Sequence, residues 1–298
     1  MPPGHRFKVK VFEAIHTQLI KSGLLATSQV RTPPTLPISL VEAVHCPDYI
    51  RSFVNGTLSP ALVRRMGLPW SSLLVERTLS EVAGTLLTAE LALEHGIACS
   101  TAGGTHHAHF AAPSGFCVLN DLAITTASLL SRGLVSRVLV CDLDVHQGDG
   151  TAALLANEPR AFTFSVQCEG NGFPIRTFSS SRDVELPPGV GDDEYLAMLS
   201  STLPSIMDSF QPDIVLYDAG VDVHASDALG KMSLSDDGIR RRDLCVISTC
   251  VAAGVPVACV VGGGYDADVG ALAARHCLVH AAAATVWQDA GLGRRGVL

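Results

Sequence analysis

The sequence predicts an α/β fold, a single doubly wound domain whose parallel β-sheet is flanked by helices on both faces. Three observations lead there. From residue 71 onward, short apolar strands alternate with longer helical segments, the pattern of βαβ units. The strands read as continuous apolar runs rather than alternating ones, so both faces are covered. Four strands end in polar, Gly-rich blocks, where sheets of this kind bind ligands.

The elements follow in order. TPPTLPISL (32–40) is a Pro-rich, extended connector. SSLLVERTLSEVAGTLLTAELALEHG (71–96) has helical periodicity and stops at Gly96. IACSTAGG (97–104) is a short β-like run. NDLAITTASLLSRG (120–133) is a helix with Asn120 or Asp121 as N-cap and Gly133 at its end. RVLVCDLDV (137–145) and FTFSV (162–166) are strands. Residues 192–210 form a helix in which Pro204 is expected to introduce a kink. DIVLYDAG (213–220) is a strand, 235–254 a helix, VPVACVVGGG (255–264) a strand, and 266–287 an Ala-rich helix. No repeat or composition break interrupts this, so one domain over 1–298 is expected.

Composition narrows the function. Hydrophobic residues make up 47% and charged residues 17%, enough for a large core and against disorder. A net charge of −8 leaves no basic stripe for a phosphate backbone, so no direct nucleic-acid binding is expected. The nine cysteines are scattered through apolar runs without a C-x-x-C. They read as reduced thiols in a cytoplasmic compartment, or a nuclear one in a eukaryote. No leader is evident, and no apolar stretch is expected to reach the ~18 residues of a membrane span.

The chemistry lies in the four blocks GGTHHAH, DLDVHQGDG, DAGVDVHASD and GGGYD. Asp144 and His146 are two residues apart and share one face of an extended segment. Asp222 arrives from another strand end. One His and two carboxylates leave positions open for water and substrate, as a catalytic metal site requires. D-x-H alone is better explained by capping; the other blocks shift the balance to a metal. His106 and His107 fit a base and an electrostatic partner, with Asp142 and Asp149 as the available carboxylates. An isolated HH pair would be read as surface. Tyr265, after three glycines, is a candidate oxyanion donor or a tyrosine packed under a turn.

Together these blocks resemble the zinc-dependent histone deacetylase family, which has the arginase–deacetylase fold. GGTHHAHFAAPSGFCVLND, VCDLDVHQGDGTA, TFSVQ, AGVDVHASD and VVGGGYD carry the likeness over roughly residues 100–270. DVHQGDG, NGFP, GDDEYL and GVDVHASDALG look most like class IV deacetylases and their bacterial relatives. The resemblance implies one catalytic zinc on Asp144, His146 and Asp222. It implies His107, paired with Asp149, as the general base, and His106, paired with Asp142, as its electrostatic support. Tyr265 would be the oxyanion donor, and Gly115, Phe116 and Phe173 the channel lining. A structural potassium would use Asp142, Ser165 and carbonyls that include that of Val166. The implied activity removes acetyl or longer acyl groups from lysine side chains of a protein substrate, or from small acylated amines such as polyamines. Oligomeric state stays open.

Two rivals remain at this point. One is a two-manganese ureohydrolase of the same fold; the other is a non-catalytic acyl-lysine binder. Gln147 stands where class I members carry a histidine, and Thr105 replaces an aromatic and is expected to widen the pocket floor. Arg6 falls near the family's acetate exit path or is simply solvated. His45 reads as a loop or supporting residue, His224 as part of a second metal site if there is one, and Asp227 as a rim hydrogen-bonder. The run 240–242 reads as a solvated helix face. Relatives usually carry a further strand before residue 1, so a different sheet edge is expected.

Overall fold

A computed structural model describes Met1 and residues 4–292. Four helices come first: α1 (Val11–Lys21), α2 (Ile38–Glu42), α3 (Pro47–Val54) and α4 (Pro60–Met66). They are followed by α5 (Ser72–His95), β1 (Ile97–Cys99), α6 (Asp121–Ser131), β2 (Val138–Asp142), α7 (Asp149–Leu155), β3 (Ala161–Cys168) and β4 (Arg182–Leu186). The chain ends with α8 (Asp192–Phe210), β5 (Ile214–Asp218), α9 (Asp236–Ala252), β6 (Val257–Val260) and α10 (Val269–Asp289).

The continuous apolar strands arise because successive residues serve two different cores. Leu139, Cys141, Val215, Tyr217, Val257 and Cys259 face the layer of α1, α8, α9 and α10. Val138, Val140, Ile214, Leu216, Ala258 and Val260 face the layer of α3 to α6. Helix limits follow side-chain chemistry. Ser71 caps α5 by accepting from Leu74 N, and α5 stops at Gly96, which has φ 86°. Asn120, not Asp121, caps α6. Asp268 accepts from the amides of Gly270 and Ala271, so α10 starts later than the Ala-rich composition implies. Pro204 lies inside α8, which runs through it as one helix.

The six strands are all parallel, in the order β1-β6-β5-β2-β3-β4. β1 is one edge and pairs only with β6. From β2 the chain moves outward to β3 and β4; from β5 it moves the other way to β6. The reversal lies between β2 and β5, the place where open α/β sheets form their crevice. In register there, Asp142 stands opposite Ser165 on one side and Asp218 on the other.

Three expectations change. Edge strand β4 and helices α1 to α4 and α7 were not anticipated, and the connector at 32–40 turns helical from Ile38. The expected run of 97–104 is a strand only to Cys99. Helix α10 is long and apolar enough to cross a membrane by length and composition, with mean hydropathy 1.3, contrary to the expected absence of such a stretch. It buries Leu272, Ala273, Val279 and Ala282 in the core, and Arg275 on it pairs with Asp236 and Asp266. Its hydropathy comes from alanines that let it pack closely on its neighbours.

Candidate metal and proton-transfer site

The site is assembled from turns that fold back on strand-end carboxylates. Asp142 Oδ1 accepts from Asp144 N at 3.2 Å, and Asp144 Oδ1 accepts from His146 N at 2.8 Å. Asp222 Oδ1 accepts from Val145 N at 2.9 Å, which joins the β5 loop to the β2 loop. Asp144 Oδ2 accepts from Gly263 N at 2.9 Å, which adds the loop after β6. A Cβ at Gly263 would lie 2.4 Å from the Oδ2 atoms of both Asp144 and Asp222, so only glycine permits this approach.

The three expected metal ligands meet. His146 Nδ1 lies 3.0 Å from Asp144 Oδ1 and 3.2 Å from Asp222 Oδ2, and all three residues are buried. Burial and the neighbouring Asp144 push Asp222 up to about 7. Burial works against a charged His146, yet hydrogen bonds to Asp144 and Asp222 raise it to about 10. Two buried carboxylates and one imidazole converging on a point fit a divalent cation of the zinc type, which would cancel the repulsion between the acids.

The adjacent histidines form two separate dyads. His106 Nδ1 lies 2.7 Å from Asp142 Oδ2, and His107 Nδ1 lies 2.6 Å from Asp149 Oδ1. Their Nε2 atoms face each other at 3.0 Å. Burial pushes His107 down to about 3, helped by the neighbouring His106. Burial disfavours charge on His106 too, but Asp142, Asp144 and Asp218 hold it well above its ordinary value. The arrangement is satisfied by a cationic His106 donating from both nitrogens and a neutral His107 donating Nδ1–H to Asp149.

Tyr265 and the aromatic walls close over this pair. Asp227 Oδ2 accepts from Tyr265 N at 2.7 Å and also holds the amides of Leu229 and Gly230, so the expected bonding of Asp227 extends to the tyrosine's own backbone. Burial pushes the Tyr265 hydroxyl well up, with Asp144 and Asp222 adding to it. The Phe173 ring stands edge-on to His107 with centroids 4.7 Å apart, and the Phe116 ring is 5.9 Å from that of Tyr265. Gly115 has φ 51°, and its missing Cβ would fall 2.7 Å from the Phe173 ring. Beneath lies a cavity of about 50 Å³ lined by His106, His107, Phe116, Tyr265, Glu81 and His276. A cavity of about 770 Å³ on the β1 side shares Phe12, Arg77 and Glu81 with it.

The sequence matches the histone deacetylase domain over residues 5–281. The chain belongs to the histone deacetylase family. It is 50% identical over 287 residues to an uncharacterized protein of Picosynechococcus sp., covering 96% of this chain and 95% of that one. Histone deacetylase 2 of Arabidopsis thaliana is 29% identical over 272 residues, covering 88% of this chain and 70% of that protein. The crystal structure of an HDAC homolog from Aquifex aeolicus superposes with a TM-score of 0.77 at 21% identity over 97% of this chain and 80% of that one, a likeness of fold.

Within this deacetylase-family chain, Arg242 departs from its sequence reading, whereas His45, a supporting residue in the loop before α3, and the exposed Arg6 keep one of theirs. Arg242 is fully buried rather than on a solvated face, while Arg240 and Arg241 are exposed. It donates to the carbonyls of Gly220 (2.6 Å), Ala219 (3.2 Å) and Leu143 (3.3 Å), beneath the two metal-site loops. His45 is fully buried: its Nδ1 reaches His109 O at 2.9 Å, and its Nε2 accepts from Asn120 N at 2.9 Å. His224 lies away from the ligand cluster, bonded to Ser226 and near Asp236. Arg6 is exposed; the arginine lining the deep cavity is Arg77. Thr105 packs into hydrogen bonds with Leu119 O and Asp121.

Asp218 was missed altogether. It is fully buried, and neither of its carboxylate oxygens has a partner among the described residues. Its Oδ2 lies 3.9 Å from His106 Nδ1, and burial together with Asp142 pushes it well above the usual carboxylate range. The sequence shows only an acid closing the apolar run of DIVLYDAG; its register with Asp142 comes from the pairing of β5 with β2.

Proposed function

We propose that this histone deacetylase-family hydrolase removes acyl groups from lysine side chains, using one zinc ion held by Asp144, His146 and Asp222. The observation that carries this reading is the convergence of those three side chains beside a neutral His107 bonded to the Asp149 carboxylate. A binder needs no base. The bound cation would act as a Lewis acid on the amide carbonyl and make a water more acidic.

His107 gives up the hydrogen bond from His106 to take the proton of the attacking water at Nε2 and passes it to the leaving amine, while Asp149 keeps its other nitrogen protonated and its ring in place. His106, held cationic by its carboxylates, offsets the negative charge that develops. Tyr265 stays protonated and donates to the oxyanion. Gly115, Phe116 and Phe173 exclude water from the methylenes of the substrate. The products are a free amine and a carboxylate. Potassium would fit beside Asp142 and the Val166 carbonyl, because Ser165 Oγ is buried there without a partner among the described residues.

The test is a panel of lysine peptides carrying acetyl, trifluoroacetyl and long-chain acyl groups, together with an acetylated polyamine. It is run on metal-replete and chelated protein, with Asp144→Ala as control. Turnover that needs both metal and Asp144 supports the reading. Two ions per chain and hydrolysis of a guanidinium compound would replace it with a ureohydrolase. No turnover on any member with metal bound would leave a binder.

A further inference from the structure

We infer that Gln147 is a positioning residue whose side-chain amide ties the Phe173 wall of the channel to the loop that carries Asp144 and His146. The inference rests on the deacylase reading for its kinetic consequence but on geometry for the tie itself. Residues 169–181 connect β3 to β4 without helix or strand. The loop is anchored at its start, where Glu169 N donates to Leu186 O and Lys231 Nζ to Gly170 O. It is anchored again at its end, where Ser180 N donates to Asp183 Oδ2 and Ser181 N to Thr163 Oγ1.

Between Gly172 and Ser179, Phe178 alone has backbone hydrogen bonds among the described residues, and both involve Gln147. Gln147 Nε2 donates to Phe178 O at 2.7 Å, and Gln147 Oε1 accepts from Phe178 N at 3.2 Å. The second Nε2 hydrogen goes to Asp183 Oδ1 at 2.9 Å, which fixes the direction of the amide. Gln147 is buried and directly follows His146.

The same stretch meets the catalytic pair from the other side. His109 Nε2 lies 2.8 Å from Asp149 Oδ2, and its ring is 5.4 Å from that of Phe178. Phe178 is therefore held by Gln147 through its backbone and touched through its ring by a residue that shares the carboxylate of His107. Five residues earlier, Phe173 packs on His107 and over Gly115. Ile175 between them is 95% exposed and offers no apolar anchor. Without the amide, the segment from 172 to 179 keeps only side-chain packing to hold Phe173 in place. A looser wall weakens the grip on the substrate chain before the metal or the base is disturbed.

The experiment compares Gln147→Met, Gln147→Glu and the unmodified full chain. Methionine keeps the volume and loses every bond. Glutamate keeps an acceptor for Phe178 N but cannot donate to Phe178 O or Asp183. For Gln147→Met, which loses all three bonds, KM for the best acyl-lysine peptide should rise about tenfold, the factor of about one ordinary hydrogen bond, because they act on the substrate only through the Phe173 wall. Its kcat should stay within about threefold and its bound metal unchanged, and hydrogen exchange at the Phe178 amide should accelerate. Gln147→Glu, whose carboxylate would face both Phe178 O and the Asp183 carboxylate, should raise KM and Phe178 exchange at least as much; milder effects than those of Gln147→Met would overturn the tie. Unaltered Phe178 exchange in Gln147→Met overturns the tie. A fall in kcat with loss of metal also overturns it, since Gln147 would then support the metal loop instead. Should the unmodified protein turn over no acyl substrate, the deacylase reading fails, while Phe178 exchange, which needs no turnover, still decides the tie.

Discussion

The loops after β2 and β3 leave neighbouring strands of one sheet, and they are held in opposite ways. From Asp142 to Asp149 every residue is buried. The β2 loop is stitched to the loops after β5 and β6 through Asp222 and Gly263, with Arg242 beneath. From Gly172 to Ser179 the β3 loop has one backbone attachment, at Phe178. On the proposed reading, the chemistry would sit on the more tightly bonded scaffold and substrate recognition on the more sparsely bonded wall. Charged groups need that rigidity because catalysis depends on their placement to within about half an ångström. An aromatic wall tolerates more.

The contrast predicts large effects on the β2 side. Asp149→Asn should lower kcat by about 10²–10⁴ with metal retained, because His107 loses the partner that sets its tautomer; steady-state kinetics with metal analysis checks this. Arg242→Met should destabilise the protein by roughly 3–5 kcal/mol, since it leaves Asp243 buried without its ion pair and three carbonyls without a donor. Urea unfolding would show it, and an unchanged midpoint would mean those loops are held by their carboxylates alone. Tyr265→Phe should bind metal normally and lose about 10²–10³ in kcat.

A pH effect comes next. Burial lowers His45 to about 4, against 6.5 when free. A folded value below the unfolded one gives stability that is complete above about pH 6.5 and is lost as pH falls toward 4. The full span is on the order of 3 kcal/mol. His45→Asn should be less stable at pH 7 and show a flatter acid limb in unfolding midpoints measured between pH 7 and 4. On the β3 side, Ile175→Ser should change stability by no more than about 0.5 kcal/mol. A larger loss would show that this loop is packed after all.

Much of the site was legible because its residues lie at strand ends in fixed patterns. Asp144 and His146 do converge, but through the bend after β2, where His146 N donates to Asp144 Oδ1, and not through the strand period expected of them; of the three glycines before Tyr265, Gly263 makes a close approach to Asp144 and Asp222. Asp218 was passed over because an acid ending an apolar run gives no hint of its neighbours; only the pairing of β5 with β2 sets it beside His106. Arg242 was misread for a related reason. In the sequence it is one of three arginines, and helix rotation decides that it alone points under the sheet. Helix α1 carries Val11, Ile15 and Leu19 at helical spacing, a signal that the reading left unused. β4 lacks one, as an edge strand with four of its five residues not fully buried.

Read without its fold, the chain already specifies the alternation of strands and helices, the two-faced sheet, and which residues are able to bind a metal, take a proton or donate to an oxyanion. Local periodicity and side-chain chemistry suffice for that. The pairing of each histidine with its carboxylate came from the family resemblance and not from the residues themselves, and it took the folded chain to bring Asp218 beside them and Gln147 across to Phe178. Those depend on strand order and register, which are settled by how the whole chain packs.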